Sequence, residues 1–251
     1  MQEHVCLIVP CFNEARRLDF EQFEAAATRH NLWFLFVDDG STDDTAEVVR
    51  RHTHDRIWLR VLERNSGKAE AVRQGMLHAE ALPFFAQLDW IGYWDADLST
   101  PLTELPAFFE YLALTGMPMD VVIGSRVSRL GSRVRRRFVR HVLGRLFATA
   151  AALLLKTRAY DSQCGAKVFR TTVAARCFRE PFVTRWLFDL EILLRLGDAA
   201  VLEYPLMEWH DVAGSKFNLL PNLWRTLRDL LRLRAKYEPA RDTDRANRAL
   251  P

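Results

Sequence analysis

Five short, near-continuous apolar runs mark the first half of the chain: Val5 to Val9, Trp33 to Val37, Ile57 to Leu62, Ile91 to Trp94 and Val121 to Ile123. Runs without polar alternation suit strands covered on both faces, as in a parallel sheet. Between them lie stretches that read as helices, Phe20 to His30, Thr42 to Arg51, Ala69 to Ala81 and Leu102 to Leu114. This βαβαβα order predicts an α/β fold, a doubly wound and mostly parallel sheet with helices on both faces, whose ligand lies at the carboxyl ends of the strands. The second half is less regular. It predicts a long basic and apolar helix from about Ser132 to Thr157, a strand at Ala166 to Phe169, a helix around Leu187 to Leu196 and a strand at Val201 to Pro205. No linker rich in Gly, Pro or Ser divides the halves, so residues 1–237 read as one domain, and the polar tail 238–251 as mobile.

Each early strand ends in a polar cluster: Pro10-Cys11-Phe12-Asn13-Glu14, then Asp38-Asp39-Gly40-Ser41-Thr42-Asp43, then Asp95-Ala96-Asp97. In a parallel sheet all three converge on one edge. No G-x-G-x-x-G follows the first strand and no G-x-x-x-x-G-K-[ST] occurs, so the familiar phosphate cradles are missing. Phosphates then need another counter-charge. Asp95 and Asp97, two residues apart where a strand ends, can converge on one oxygen-loving cation, Mg²⁺ or Mn²⁺. Such an ion neutralises charge on a departing diphosphate. The same residues also read as the lead into a helix start at Ser99, Thr100 and Pro101. Likewise Asp38 to Asp43 reads both as a site and as a turn with helix-capping acids, Asp38 being the structural member and Asp39 the functional one.

Composition narrows the field further. With 251 residues, 49% hydrophobic, the chain can bury one substantial core. Cys6, Cys11, Cys164 and Cys177 fall in no C-x-x-C spacing and the N-terminus lacks a signal-peptide pattern, which points to buried thiols in a reducing cytosol. His52 and His54, two apart on a helix, point to different faces rather than at one zinc. The net charge of +3 conceals an asymmetry, since no acid separates Asp120 from Asp161 while Arg126, Arg129, Arg133, Arg135, Arg136, Arg137, Arg140 and Arg145 accumulate. An anion meets that stretch. Interleaved exposed aromatics and DNA-binding motif spacings are missing, which excludes nucleic acid in favour of an anionic membrane surface or a phosphate-bearing acceptor.

Taken in order, Val9-Pro10-Cys11-Phe12-Asn13-Glu14, Val37 to Asp43, Asn65-Ser66-Gly67-Lys68 and Asp95-Ala96-Asp97-Leu98-Ser99 resemble the family 2 inverting glycosyltransferases over nearly the whole chain. Gly124-Ser125-Arg126, Asp161 to Lys167, Arg185 to Glu191 and Glu208 to Lys216 resemble its dolichyl-phosphate β-glucosyltransferase branch. The resemblance implies a GT-A fold, with residues 1–125 as the nucleotide-sugar-binding half and 126–237 as the acceptor half. It places Pro10, Phe12, Glu14 and Asp39 around the nucleoside, Asp39 accepting a base N–H. Lys68, Asp95, Ala96 and Lys216 meet the donor, Asp95 and Asp97 the metal, and Asp189 is a catalytic candidate that also reads as scaffold. Two departures stand out: Ser99 replaces a glutamine common in mannosyl-phosphate synthases, and no transmembrane anchor of the kind found in eukaryotic glucosyl homologues is expected from these 251 residues.

The expected reaction moves glucose from UDP-glucose to a polyprenyl phosphate at the cytosolic face of a membrane. A phosphate monoester is already ionised near neutral pH, its second pKa being about 6, so no general base is needed. Cations matter more, and Arg126, Arg133 and Arg136, with Asp161, are the acceptor-binding candidates. A hydroxyl acceptor would instead need Asp161, Asp189 or Glu191 as base. Members using hydroxyls commonly carry Q-x-x-R-W, whereas Phe182 stands in place of that glutamine before Arg185-Trp186. A catalytically silent membrane-surface protein is a third reading. The apolar stretch Leu146 to Leu155 is far shorter than the roughly 20 residues that span a bilayer, and with its flanking arginines it reads as interfacial, as does Leu219 to Leu233.

Overall fold

The structure, a computed structural model, describes residues 2–29, 31–135, 148–157, 159–211 and 223–248. In chain order the elements are β1 (Val5–Cys11), α1 (Phe20–Arg29), β2 (Leu32–Asp38), α2 (Thr45–Arg51), β3 (Ile57–Val61), α3 (Lys68–Ala79), β4 (Trp90–Trp94), α4 (Glu104–Thr115), β5 (Val121–Ser125) and β6 (Arg133–Arg135). They continue with α5 (148–155), β7 (Ala166–Arg170), α6 (Thr171–Phe178), α7 (Phe188–Leu196), β8 (Val201–Pro205), β9 (Glu208–His210) and α8 (Leu223–Arg248). Seven strands form one sheet in the order β3-β2-β1-β4-β7-β5-β8. All its pairings are parallel except those of β7, which runs antiparallel to β4 and β5. The predicted mixed, mostly parallel α/β sheet is therefore the fold.

The apolar runs are continuous because both faces of the sheet are covered. Along β1, Val5, Leu7 and Val9 join one core with Phe23 of α1, Val49 of α2 and Phe108 of α4. The intervening Cys6 and Ile8 join the other core with Val72 of α3, Val173 of α6 and Ile192 of α7. Alternate side chains point to opposite faces, so a strand inside two helical layers has no polar position to spare. The four cysteines are buried and free, as expected.

Two expectations about the second half change. The helix expected from Ser132 does not begin there, because Arg133–Arg135 is a strand paired in parallel with Glu208–His210. Its Arg-Val-Arg alternation suits a strand with one apolar position, and Val134 packs against the main core. Residues 136–147, including Arg136, lie outside the described residues, and 148–155 is helical, within the span expected. The tail expected to be mobile continues α8 to Arg248. No described helix is long and apolar enough to cross a membrane.

Candidate active site

Three loops at the carboxyl ends of β1, β2 and β4 build the site. Asn13 adopts a left-handed backbone (φ 55°), which asparagine tolerates better than most residues. Its amide N–H donates to Ser41 Oγ (2.9 Å) and its Oδ1 accepts from the Thr42 N–H (2.9 Å). Glu14 N–H donates to Thr45 Oγ1 (2.8 Å) while its carboxylate pairs with Arg17. These bonds lace the first loop to the second. Asp38 accepts from the Ser41 hydroxyl and N–H, the structural part assigned to it above. Pro10, near the end of β1, and Phe12, on the first loop, sit half-buried.

Asp39 reaches the other way. Its two oxygens accept the backbone N–H groups of Ser66 (2.8 Å) and Gly67 (2.7 Å), so the residue expected to read a base also anchors the turn that starts α3. Burial pushes its pKa up, against the pull of those two N–H groups. Lys68, the first residue of α3, is thereby aimed at Asp95, with which it pairs. Burial works to lower the Lys68 pKa, but Asp95, Asp189 and Asp97 outweigh it and hold it above its ordinary value. Arg185 closes this corner, donating from Nη2 to Asn65 Oδ1 (3.2 Å) beside Gly67, in a role no spacing in the sequence assigns.

After β4 the chain alternates. Ala96 and Leu98 are buried while Asp95 and Asp97 are half-open, and both carboxylates lie near enough to Lys68 to raise its pKa. Ala96 therefore faces the core, and only its backbone is left for the donor contact expected of it. Leu98 turns the chain through a left-handed conformation (φ 50°), unusual for leucine and costing roughly 1–2 kcal/mol. Its N–H returns to the Asp95 carbonyl (3.1 Å), and Asp97 Oδ1 accepts from the N–H (3.0 Å) and hydroxyl (2.8 Å) of Ser99. The buried Trp94 indole donates to the Thr100 carbonyl (2.7 Å) and fixes the far end of the turn.

Gly165 stands against this turn, its carbonyl accepting the Asp95 N–H (3.1 Å). A Cβ at this position would fall within the Asp95 carboxylate, closer than real Cβ contacts come. Gly165→Ala should therefore push Asp95 off Lys68 and cost about 1–3 kcal/mol of stability by overpacking. Calorimetric unfolding checks this, and an unchanged melting temperature would show that Asp95 has room to move.

Asp189 is buried, accepting from the Tyr93 hydroxyl and pairing with Lys167, itself fully buried and donating to the Cys164 carbonyl (2.6 Å). Its neighbour Glu191 is a salt-bridge residue, held by Arg195 (2.7 Å) and the Tyr237 hydroxyl (2.8 Å). Arg126 and Asp161, both named for the acceptor, are bound to each other. Nε and Nη2 of Arg126 donate to the two Asp161 oxygens at 2.7 Å each, and the Arg126 N–H adds a third bond at 2.9 Å. Asp161 outweighs burial and raises the Arg126 pKa. The guanidinium lies over the Trp209 ring (5.6 Å), leaving its Nη1 edge outside the carboxylate fork. Glu104, at the start of α4, accepts the N–H groups of Met207 and Glu208 (3.0 Å each) and so fixes β9 and Trp209. Arg133 is exposed on β6, while Lys216 lies outside the described residues.

Residues 6–178 match the profile of Glycosyl transferase family 2. The chain belongs to that family. It is a glycosyltransferase, as its motif order implied. This glycosyltransferase is 28% identical over 254 residues to the dolichyl-phosphate beta-glucosyltransferase of Dictyostelium discoideum, covering 93% of the chain and 75% of that relative. It is 30% identical to the enzyme of the same name from Mus musculus, covering 94% and 76%. Glucosyl-3-phosphoglycerate synthase from Mycobacterium tuberculosis, solved in complex with Mn²⁺, UDP and phosphoglyceric acid, shares the fold with a TM-score of 0.62 at 18% identity, over 92% of this chain and 77% of that one.

Asp95 and Asp97 suit a hard divalent cation, and the Lys68 ammonium on Asp95 shows that this spot favours positive charge. Among the described residues no three His, Cys, Asp or Glu side chains gather into a metal cage. Mg²⁺ and Mn²⁺ at phosphate sites need none, since one or two carboxylates hold them together with substrate oxygens and water.

Proposed function

We propose that this glycosyltransferase moves glucose from UDP-glucose to a polyprenyl phosphate at the cytosolic face of a membrane, with inversion at the anomeric carbon. The observation that carries the reading is the convergence of Lys68, Asp95 and Asp97 at the sheet edge, a cation beside two carboxylates, with Asp39 in the adjoining loop. The relatives named as dolichyl-phosphate beta-glucosyltransferases support the acceptor and the sugar, and the fold neighbour bound to Mn²⁺ and UDP supports the nucleotide and the metal.

In this reading Asp95 and Asp97 hold Mg²⁺ or Mn²⁺, which when bound offsets the charge growing on the leaving diphosphate. Lys68 adds a second positive group on the same oxygens. Pro10, Phe12, Glu14, Asp39 and Lys216 enclose the donor, Asp39 using lone pairs left beyond Ser66 and Gly67. An acceptor phosphate oxygen forms the new bond to the anomeric carbon while the bond to the diphosphate oxygen breaks on the opposite face. No proton moves, because the acceptor oxygen starts as an anion and gives up that charge in the new bond, while the diphosphate oxygen takes it up as its own bond breaks. Arg126, from its Nη1 edge, and the basic residues Arg133 and Arg136 orient the acceptor, with Asp161 holding the Arg126 fork rigid. Asp189 acts as a positioning residue, fixing Tyr93 and Lys167 beneath Lys68.

The test is transfer of labelled sugar from UDP-glucose or GDP-mannose to a short polyprenyl phosphate or a simple sugar, with Mn²⁺ or with EDTA. Lipid-linked glucose that forms with Mn²⁺ and vanishes in EDTA supports the reading; transfer to the simple sugar alone overturns it.

A further inference from the structure

Helix α8 carries two apolar faces, and one of them is spoken for. Leu230 and Leu233 pack with Ala151 and Leu155 of α5 and with Leu187, Leu190 and Leu194 around α7. Tyr237 adds a hydroxyl bond to Glu191 (2.8 Å), so the helix is fastened along this side and its orientation is set. The other side faces water with Trp224 84%, Leu227 41% and Leu231 52% exposed, at i, i+3 and i+7, hence on one stripe. A helix packed on one side of a water-soluble surface ordinarily turns polar groups outward. Here an indole and two leucines occupy that place instead.

Charge identifies what covers them. Between Trp224 and Tyr237 there are five cations, Arg225, Arg228, Arg232, Arg234 and Lys236, against the single acid Asp229; Lys236 also lies 3.9 Å from the buried Glu191 of α7. Asp229 is buried and lies 3.9 Å from Arg228 and 3.7 Å from Arg232, a distant share of two of them. Apolar residues that include tryptophan, bordered by arginines on a helix lying flat on its own domain, have the makeup of an interfacial helix on anionic lipid. The neighbouring α5 adds Leu153, 76% exposed and opposite its buried Ala151 and Leu155.

We propose that the α8 stripe Trp224, Leu227 and Leu231, with the arginines beside it, docks the glycosyltransferase on an anionic bilayer. The inference deepens the proposed function, since a polyprenyl phosphate resides in such a bilayer, but it rests on α8 itself.

The test uses the full chain and sucrose-loaded vesicles of phosphatidylcholine, with or without about a third phosphatidylserine. Wild-type protein should sediment with the anionic vesicles, with a blue-shifted tryptophan emission, and should release as salt rises toward 1 M, where the Debye length falls to about 3 Å. The W224S/L227S/L231S variant should bind about tenfold or more weakly. R228E/R232E should weaken binding to anionic vesicles only. Both variants should keep the wild-type rate on a water-soluble short-chain acceptor, since neither touches the site; the serine variant should also keep the wild-type melting temperature, whereas R228E/R232E should lower it because Asp229 loses both neighbouring cations. Wild type left in the supernatant, or equal sedimentation of wild type and the serine variant, overturns the inference. So does a dimer in sedimentation velocity that the serine variant dissociates, because the stripe would then meet a second copy. Vesicle binding without transfer to any phosphate would strike the proposed function and leave this inference standing.

Discussion

Asp97→Asn should cut metal-dependent glycosyl transfer by about 100- to 1,000-fold, the usual loss when one element of charge stabilisation is removed from a transition state. The substitution isolates charge from shape. Asp97 is half-open, and its Oδ1 accepts both the N–H and the hydroxyl of Ser99, bonds that an asparagine oxygen can still accept. The turn therefore survives, and the melting temperature should stay within a degree or two of wild type while kcat falls at every Mn²⁺ concentration. Arg126→Ala should behave differently. It strips Asp161 of a bidentate partner in a largely buried place, so acceptor KM should rise and stability should drop as well. Equal, small effects from the two substitutions would undo the site assignment.

The second large effect is one of stability. Lys167 is fully buried and answers Asp189, whose other partner is the Tyr93 hydroxyl. Lys167→Met keeps the length of the side chain but leaves a carboxylate in the core without its cation, which costs about 3–5 kcal/mol. Most domains have only 5–15 kcal/mol to lose. Denaturant unfolding should show the shift, and adding Asp189→Leu should recover much of it, because two apolar groups need no mutual compensation. Activity should stay low in the double variant, as Tyr93 loses its acceptor beneath Lys68. Recovery of both stability and activity would mean that Asp189 only fills space.

The layered sheet was legible in the chain because double burial writes itself as unbroken apolar runs, and the strand-end clusters were legible because topology sends every parallel strand end to one edge. Pairings across long separations were not. Nothing local marks Gly165 as the residue whose missing side chain makes room for Asp95, since the contact spans strands β4 and β7, far apart in sequence. Nothing local shows that Arg126 and Asp161, both acceptor-binding candidates, also bind each other. The helix expected from about Ser132 to Thr157 does not start at Ser132, because basic and apolar residues alternate at Arg133-Val134-Arg135, a spacing that the arginine run disguises and that pairing with Glu208–His210 decides, while 148–155 is helical as expected. Ala96 stands among acidic neighbours in the sequence, but the turn after β4 leaves Asp95 and Asp97 half-open and buries Ala96.

Transfer to a phosphate acceptor needs no general base. The most direct measurement gives the enzyme Mn²⁺ and UDP-glucose with either a polyprenyl phosphate or the polyprenol of the same chain, and reads the product's linkage by NMR. The expected result is β-linked glucosyl phosphodiester from the phosphate and no product from the alcohol, with a rate that falls below about pH 6 as the acceptor protonates. Glucosylation of the free alcohol at a comparable rate, or retention of the α configuration, would contradict it.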